Sequence, residues 1–313
     1  MFRILPPTGC ALMYFLPPYR RGILNRYHKQ MPLLERFTKD LSEAWRWWRN
    51  RQKWGESRGI LAHPHFPSRG STLYKIAREL GYNVSNKPTR TFELVVAWEY
   101  LTFREEYQVA EKLSGQYRVL NLYNRDISKA RVDQLHQEVF GYRTEIDPLT
   151  FQGKAVRKSD INAIHNYAVI DCPLTEREEG SFYQILINNE VENGTKVEDI
   201  RVPIIGGTIS FAYRKHRDIA VRFKNPIFCR PEPIESLLSS AEIAQVNRLA
   251  ESFRLDFGEM DVLRNRDDGR IYVIDVNNTP QGPPSGISPS DAQWAIKEMA
   301  RHFAQAFLPN YKG

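Results

Sequence analysis

The stretch from residue 259 to 280, EMDVLRNRDDGRIYVIDVNNTP, constrains this chain more than any other. Apolar and polar residues alternate over 259–264 and again over 271–277, which predicts two strands. Asp267-Asp268-Gly269 between them is a tight-turn signal, so the strands close as an antiparallel hairpin. A period of two places Asp275 and Asn277 on one face and Ile274 and Val276 on the other. The hairpin then brings Asp261 back beside Asp275 and Asn277. Three hard oxygen donors converging at a strand end suit Mg2+, which favours carboxylates, waters and phosphates. An ordinary hairpin with solvated polar residues has the same pattern, and the rest of the chain decides between the two.

Upstream come Gln184-Ile185-Leu186-Ile187, then Glu198-Asp199-Ile200-Arg201-Val202, Ile205-Gly206-Gly207, Tyr213-Arg214 and Arg222-Phe223-Lys224-Asn225. Further back lie Ile127-Ser128-Lys129 and Val156-Arg157-Lys158-Ser159. In this order the pieces resemble the ATP-grasp superfamily over roughly residues 117–308. In motif order they are similar to ribosomal-protein glutamate ligases and D-alanine–D-alanine ligases. The resemblance implies an α/β (α+β) fold in which two α+β subdomains grip ATP. A small parallel-sheet domain and a basic helical extension precede them. The expected segments are 1–70 (extension and linker), 71–127 (pre-ATP-grasp domain), 128–190 and 191–313 (the two subdomains, the second with the metal site).

It also implies an activity: ATP-dependent joining of a carboxylate to an amine through an acylphosphate, making an amide or peptide bond and releasing ADP and phosphate. Phosphoryl transfer is mainly positioning and charge neutralisation. On the resemblance, Lys129 and Lys158 contact the phosphates, and Lys158 and Arg214 are the catalytic cations. Asp261, Asp275 and Asn277 hold Mg2+, with Mn2+ as its alternative. The adenine lies against Gln184, Ile185, Leu186 and Ile187, and Asp199 takes the ribose, with Glu192 or Glu198 as substitutes. Lys224 and Asn225 complete the nucleotide set. Arg201, Arg214 and Ser285 (or Ser288) meet substrate. A kinase acting on a hydroxyl would show the same metal site, and a non-catalytic module binding a nucleotide or anionic partner is the rival outside enzymes.

Two departures from the family pattern stand out. Asp275 occupies a position where these enzymes more often carry Glu, one methylene longer. No glycine-rich loop lies between Lys158 and Gln184; Ser159-Asp160-Ile161-Asn162-Ala163 takes its place, with His165 just beyond.

The net charge of +7 is unevenly spread. Residues 1–60 hold twelve Lys or Arg against four Asp or Glu, a balance of +8, which leaves −1 for the remainder. The charge calls for an acidic ligand at residues 1–60, a phosphorylated carrier, a membrane surface or nucleic acid, the last being the least expected of the three. Leu34, Phe37, Leu41, Ala44, Trp45 and Trp48 recur at helical spacing over 32–54 with arginines interleaved. They predict an amphipathic helix that lies on an anionic surface or packs its tryptophans on the body. Residues 55–70, with Pro64, Pro67 and Ser68, read as a linker, and His63-Pro64-His65 as a loop. Cys10, Cys172 and Cys229 are too far apart for a disulfide framework or a zinc site. No 18-residue apolar run and no export signal are read, so a cytoplasmic protein is expected. The substrates expected are a peptide, a small metabolite or a glycan precursor.

Overall fold

Short apolar runs alternating with helices build a parallel sheet first. Its elements are β1 (Gly59–Pro64), α1 (Thr72–Leu80), β2 (Asn83–Ser85), β3 (Leu94–Trp98), α2 (Gln108–Leu113) and β4 (Arg118–Leu120), with strand order β2-β1-β3-β4. The computed structural model describes residues 58–162, 164, 166–309 and 311, together with Trp45 and Trp48. Apart from those two tryptophans, which are helical and more than half exposed, the helix expected over 32–54 lies outside the described residues. So do Cys10, Ala163 and His165.

The linker expected over 55–70 is corrected by β1, whose first four residues are fully buried. Proline, serine and glycine around it mimic a linker, but Ile60-Leu61-Ala62 supplies the apolar surface of a central strand. Helix α1 is bounded by local caps at both ends. The Ser71 side chain accepts from the Tyr74 amide, and Gly81 takes the left-handed conformation (φ 79°) that closes the last turn.

Helix α3 (Lys129–Phe140) follows, capped by Ser128 and ended by Gly141 at φ 83°. Next, β5 (Gly153–Ser159), β6 (Ala168–Cys172) and β7 (Ser181–Ile185) form a three-stranded antiparallel sheet in the order β6-β5-β7. The second antiparallel sheet is larger. It contains β8 (Glu190–Val191), β9 (Lys196–Ile205), β10 (Phe211–Asp218), β11 (Phe228–Pro233), β12 (Phe257–Arg264) and β13 (Ile271–Asn277). Its order is β11-β10-β9-β12-β13, with β8 paired to β9. Helix α4 (Ser240–Ser252) connects β11 to β12, opened by a capping box between Ser239 and Glu242. Helix α5 (Pro289–Phe307) closes the chain.

Two cores hold these layers. Ile200, Val202, Ile204, Ala212, Met260, Val262, Val273 and Val276 point from one face of the large sheet onto Val132 and Leu135 of α3 and Val246 and Leu249 of α4. Phe211, Tyr213 and Phe257 join Met299, Phe303 and Phe307 of α5 and Ile60, Val96 and Trp98 of the parallel sheet. Each such side chain, fully buried, contributes roughly 1.5–3 kcal/mol. Alternate residues of β9, β10 and β12 escape both cores, and these positions make the site. Among the described residues no helix is long and apolar enough to cross a membrane.

Candidate functional site

One cleft of about 900 Å3 lies between the two antiparallel sheets. Its floor is the free face of the large sheet: Val197, Asp199 and Arg201 from β9, Lys215 and Arg217 from β10, Asp261 and Leu263 from β12, Ile274 and Asp275 from β13. Val156 and Lys158 of β5 and Gln184 of β7 face them, with Leu186, Ile187 and Asn189 at one end. Lys129, the first residue of α3, closes another side. The segment 221–227 and the loop 281–285, including Lys224, Asn225, Gln281 and Ser285, form the rim.

The hairpin of β12 and β13 departs from simple alternation at one point. Asp261 pairs with Asp275, but the next residue, Val262, pairs with Val273. Ile274 is thus the extra residue of a β-bulge. The bulge sends both Val273 and Val276 into the helix-covered core while Ile274 and Asp275 both line the cleft. The expectation that Ile274 shares the face of Val276 is corrected by this register shift. Left out of the ladder, Ile274 offers its carbonyl to Lys158 Nζ at 3.1 Å. Asn277 lies opposite Glu259, and its Oδ1 accepts from the Thr279 amide at 3.0 Å.

The carboxylates are matched by cations. Arg201 Nε and Nη2 donate to the two oxygens of Asp261 at 2.9 and 2.8 Å, and Lys215 Nζ donates to Oδ1 at 2.8 Å. Arg201 also reaches Glu259 at 2.9 Å. Lys129 Nζ donates to Asp275 Oδ1 and to Asn162 Oδ1, the latter at 3.0 Å. Asp199 is gripped by Arg217 and accepts from Asn189 at 3.2 Å. Burial raises the Asp261 pKa, but Arg201 and Lys215 outweigh it and hold the carboxyl far below the ordinary range. Burial pushes Glu259 up to about 7 against the pull of Arg201.

Other cations lack such partners. Lys158 is buried, and its pKa falls to about 7, first through burial and then through the neighbouring Lys129. Arg222 bonds only the Ile187 carbonyl and Asn189 Oδ1, and burial lowers its pKa. Among the described residues neither these two nor Lys224 has a carboxylate within ion-pair distance. The Gln184 side chain is also buried in the cleft wall, and its Oε1 finds no hydrogen-bond partner among the described residues. Tyr167 and Phe223 stack across the rim with ring centroids 5.4 Å apart.

The structure therefore brings together Lys129, Lys158, Gln184, Leu186, Ile187, Asp199, Arg201, Lys224, Asn225, Asp261, Asp275 and Ser285. The Ile185 side chain instead packs against the small cluster of Ile187, Leu263 and Tyr272. Arg214 is turned away from the cleft. Strand alternation gives the cleft to Lys215 and Arg217 and leaves Arg214 on the opposite face, between Glu198 and Glu232 at 2.7 and 3.1 Å. Glu198 is turned away with it, and Glu192 pairs with Lys196 at 2.7 Å. Ser288 caps α5. Reading the sequence by motif missed Lys215, Arg217 and Arg222. The parity of β10, counted from the apolar Phe211 and Tyr213, would have found the first two.

Two carboxylates directly opposite one another, Asp261 and Asp275, fit a hard divalent cation by donor chemistry. The third expected ligand, Asn277, is not among the residues that line the cleft. Among the described residues no group of three His, Cys, Asp or Glu side chains forms a cage of its own.

No protein-family model matches the sequence, and no curated protein matches it. Solved structures do. The ATP-grasp ligase PsnB complexed with a minimal precursor matches at TM-score 0.52 and 14% identity, over 79% of this chain and 99% of that one. D-alanine–D-alanine ligase from Bacillus anthracis matches at TM-score 0.48 and 12% identity, over 79% and 95%. The macrocyclase MdnC bound with precursor peptide MdnA from Microcystis aeruginosa MRC matches at TM-score 0.46 and 13% identity, over 80% and 99%. With two antiparallel sheets facing across a charged cleft behind a small parallel sheet, and the first of these likenesses spanning nearly all of its partner, the chain has the ATP-grasp fold.

Proposed function

We propose that the cleft binds a magnesium nucleoside triphosphate and that the chain is an ADP-forming carboxylate–amine ligase. The observation that carries this reading is the charge of the cleft. Lys129, Lys158, Arg201, Lys215, Arg217, Arg222 and Lys224 line it against Asp199, Asp261 and Asp275. Three of these cations, Lys129, Lys158 and Lys215, are buried. An excess of cations in a partly desolvated cleft calls for a polyanion, because each unpaired charge otherwise bears its desolvation cost alone.

In this reading Lys129 and Lys158 hold phosphate oxygens, and Lys158 gains the anionic partner that it lacks in the free protein. Leu186 and Ile187 sandwich the base, and the unpartnered Gln184 Oε1 accepts from its exocyclic amine. Asp199 orients the ribose. Asp261, Asp275 and Asn277 would hold Mg2+, which when bound would supply charge neutralisation to the phosphates. Lys215, and not Arg214, is the cation positioned to steady the transferred phosphoryl group. Lys224, Asn225 and Ser285 at the rim meet the acyl and amine substrates.

Incubation with ATP, Mg2+ and pools of carboxylates and amines, followed by mass spectrometry, tests this. The expected result is ADP and phosphate formed only when both a carboxylate and an amine are present, with a new amide among the products. ADP formed with a phosphorylated hydroxyl and no amine would replace the ligase by a kinase. AMP, or no nucleotide turnover in any pool, would remove the assignment.

A further inference from the structure

Resting on the nucleotide reading above, the arrangement of ion pairs carries one step more. Glu259, Asp261 and Asp275 face Arg201, Lys215 and Lys129 in direct contact, three carboxylates against three cations. Both oxygens of Asp261 are already bonded. Lys215 and Lys129 are almost wholly buried, with 1% and 2% of their surface exposed. A bare divalent ion entering here would add two positive charges to a balanced, desolvated cluster and would have to displace a buried ammonium. Among the partners of the described residues, that leaves Lys215 only Asp199 at 3.7 Å and Lys129 only the Asn162 amide oxygen at 3.0 Å. A triphosphate arriving with the metal changes the balance, since its oxygens accept the displaced lysines while the metal takes the carboxylates.

We propose that Lys129 and Lys215 are place-holders on the metal ligands, so that this site admits a divalent cation only together with a polyphosphate. The pairing makes the two binding events reciprocal: whatever the nucleotide adds to metal affinity, the metal adds to nucleotide affinity. It also explains why the lysines are seated on Asp275 and Asp261 while Lys158, which has no carboxylate to guard, rests on a backbone carbonyl.

The test uses Mn2+ alone, followed by the loss of its free electron paramagnetic resonance signal in the absence of nucleotide. Wild-type protein should leave the signal intact to millimolar Mn2+. Lys129→Met frees Asp275 of its guard, and Lys215→Met removes one of the two cations on Asp261, the other being Arg201. Each should bind Mn2+ more tightly than wild type, on the order of tenfold to a hundredfold for removal of one adjacent cation. The gain at Lys129→Met should disappear in the double variant with Asp275→Asn. Circular dichroism selects whichever of the two lysine variants is folded, and either one decides. Wild-type protein that takes up Mn2+ as tightly as the folded variants would overturn the proposal, as would a folded variant with no gain. Because no nucleotide enters this experiment, its outcome is separate from that of the nucleotide reading. A calorimetric titration with a non-hydrolysable ATP analogue judges that reading independently.

Discussion

The two faces of the large sheet use the same strands for opposite purposes. On β9, Ile200 and Val202 point at helices, while Asp199 and Arg201 beside them point into the cleft. On β12, Met260 and Val262 alternate with Glu259 and Asp261 in the same way. One face is apolar where α3 and α4 cover it, and the energy of that burial goes into holding the fold. The other carries paired charges over an open cleft, where desolvation and Coulomb attraction nearly cancel and little net stability is left. A site can therefore be carved into the middle of a stable sheet without weakening it, provided the parity of the strands is respected.

The largest effect that would sharpen this contrast is on turnover. Asp275→Asn and Asn277→Ala should lower ADP formation by orders of magnitude. Asp275→Asn should also lower the melting temperature measured without nucleotide, because it leaves the buried Lys129 without its carboxylate. The Mg2+-dependent part of ATP's thermal stabilisation should vanish with them. Full Mg2+-dependent stabilisation in these variants would show that the metal face is a polar hairpin and no more.

The other face should respond in the reverse sense. Met260→Ala removes a fully buried side chain from the helix-covered core and should cost about 2–5 kcal/mol in a denaturant titration. The remaining folded fraction should bind nucleotide with unchanged affinity. A variant that loses affinity while keeping its stability would break the division between the faces.

Lys158 supplies a pH test. Its pKa of about 7 in the free protein lies below the ordinary lysine value, and a bound phosphate would raise it again. Nucleotide affinity should thus be greatest below pH 7 and fall above it, by at most about tenfold per unit. Binding above pH 7 should take up a proton, visible in calorimetry as a dependence on the buffer's ionisation enthalpy. The fold itself should change in the opposite direction: burial penalises the charged form, so the loss of stability at Lys158 is complete below pH 7 and is relieved as pH rises toward the unfolded value. Lys158→Met should abolish the pH dependence of binding, and its persistence in that variant would assign it elsewhere.

The smallest effect expected is at Gln184. Gln184→Leu should weaken ATP by a few fold, roughly the 0.5–1.5 kcal/mol of one net hydrogen bond, and spare GTP. Equal losses for both nucleotides would mean that the side chain supports the strand and does not read the base.

Much of the fold and part of the cleft were legible in the sequence, for local reasons. Ser71, Ser128 and Ser239 before helices, and Gly81 and Gly141 after them, act through contacts within a few residues, so the limits of these helices are set locally. The hairpin of β12 and β13 was legible because alternation and a turn are properties of one short segment. Other features were not, because they belong to pairs of strands. The bulge at Ile274 exists only in the register between β12 and β13, and alternation along β13 alone puts that residue on the wrong face. Arg214 and Lys215 are adjacent in sequence, and which of them enters the cleft depends on which face of β10 the cleft opens. β1 reads as a linker until two parallel neighbours bury it. Sequence by itself determined which segments become helices and strands and which residues could carry charge. The tertiary structure decided which charges meet, because contacts such as Lys129 with Asp275, far apart along the chain, are set by how sheets pack and not by any pattern within them.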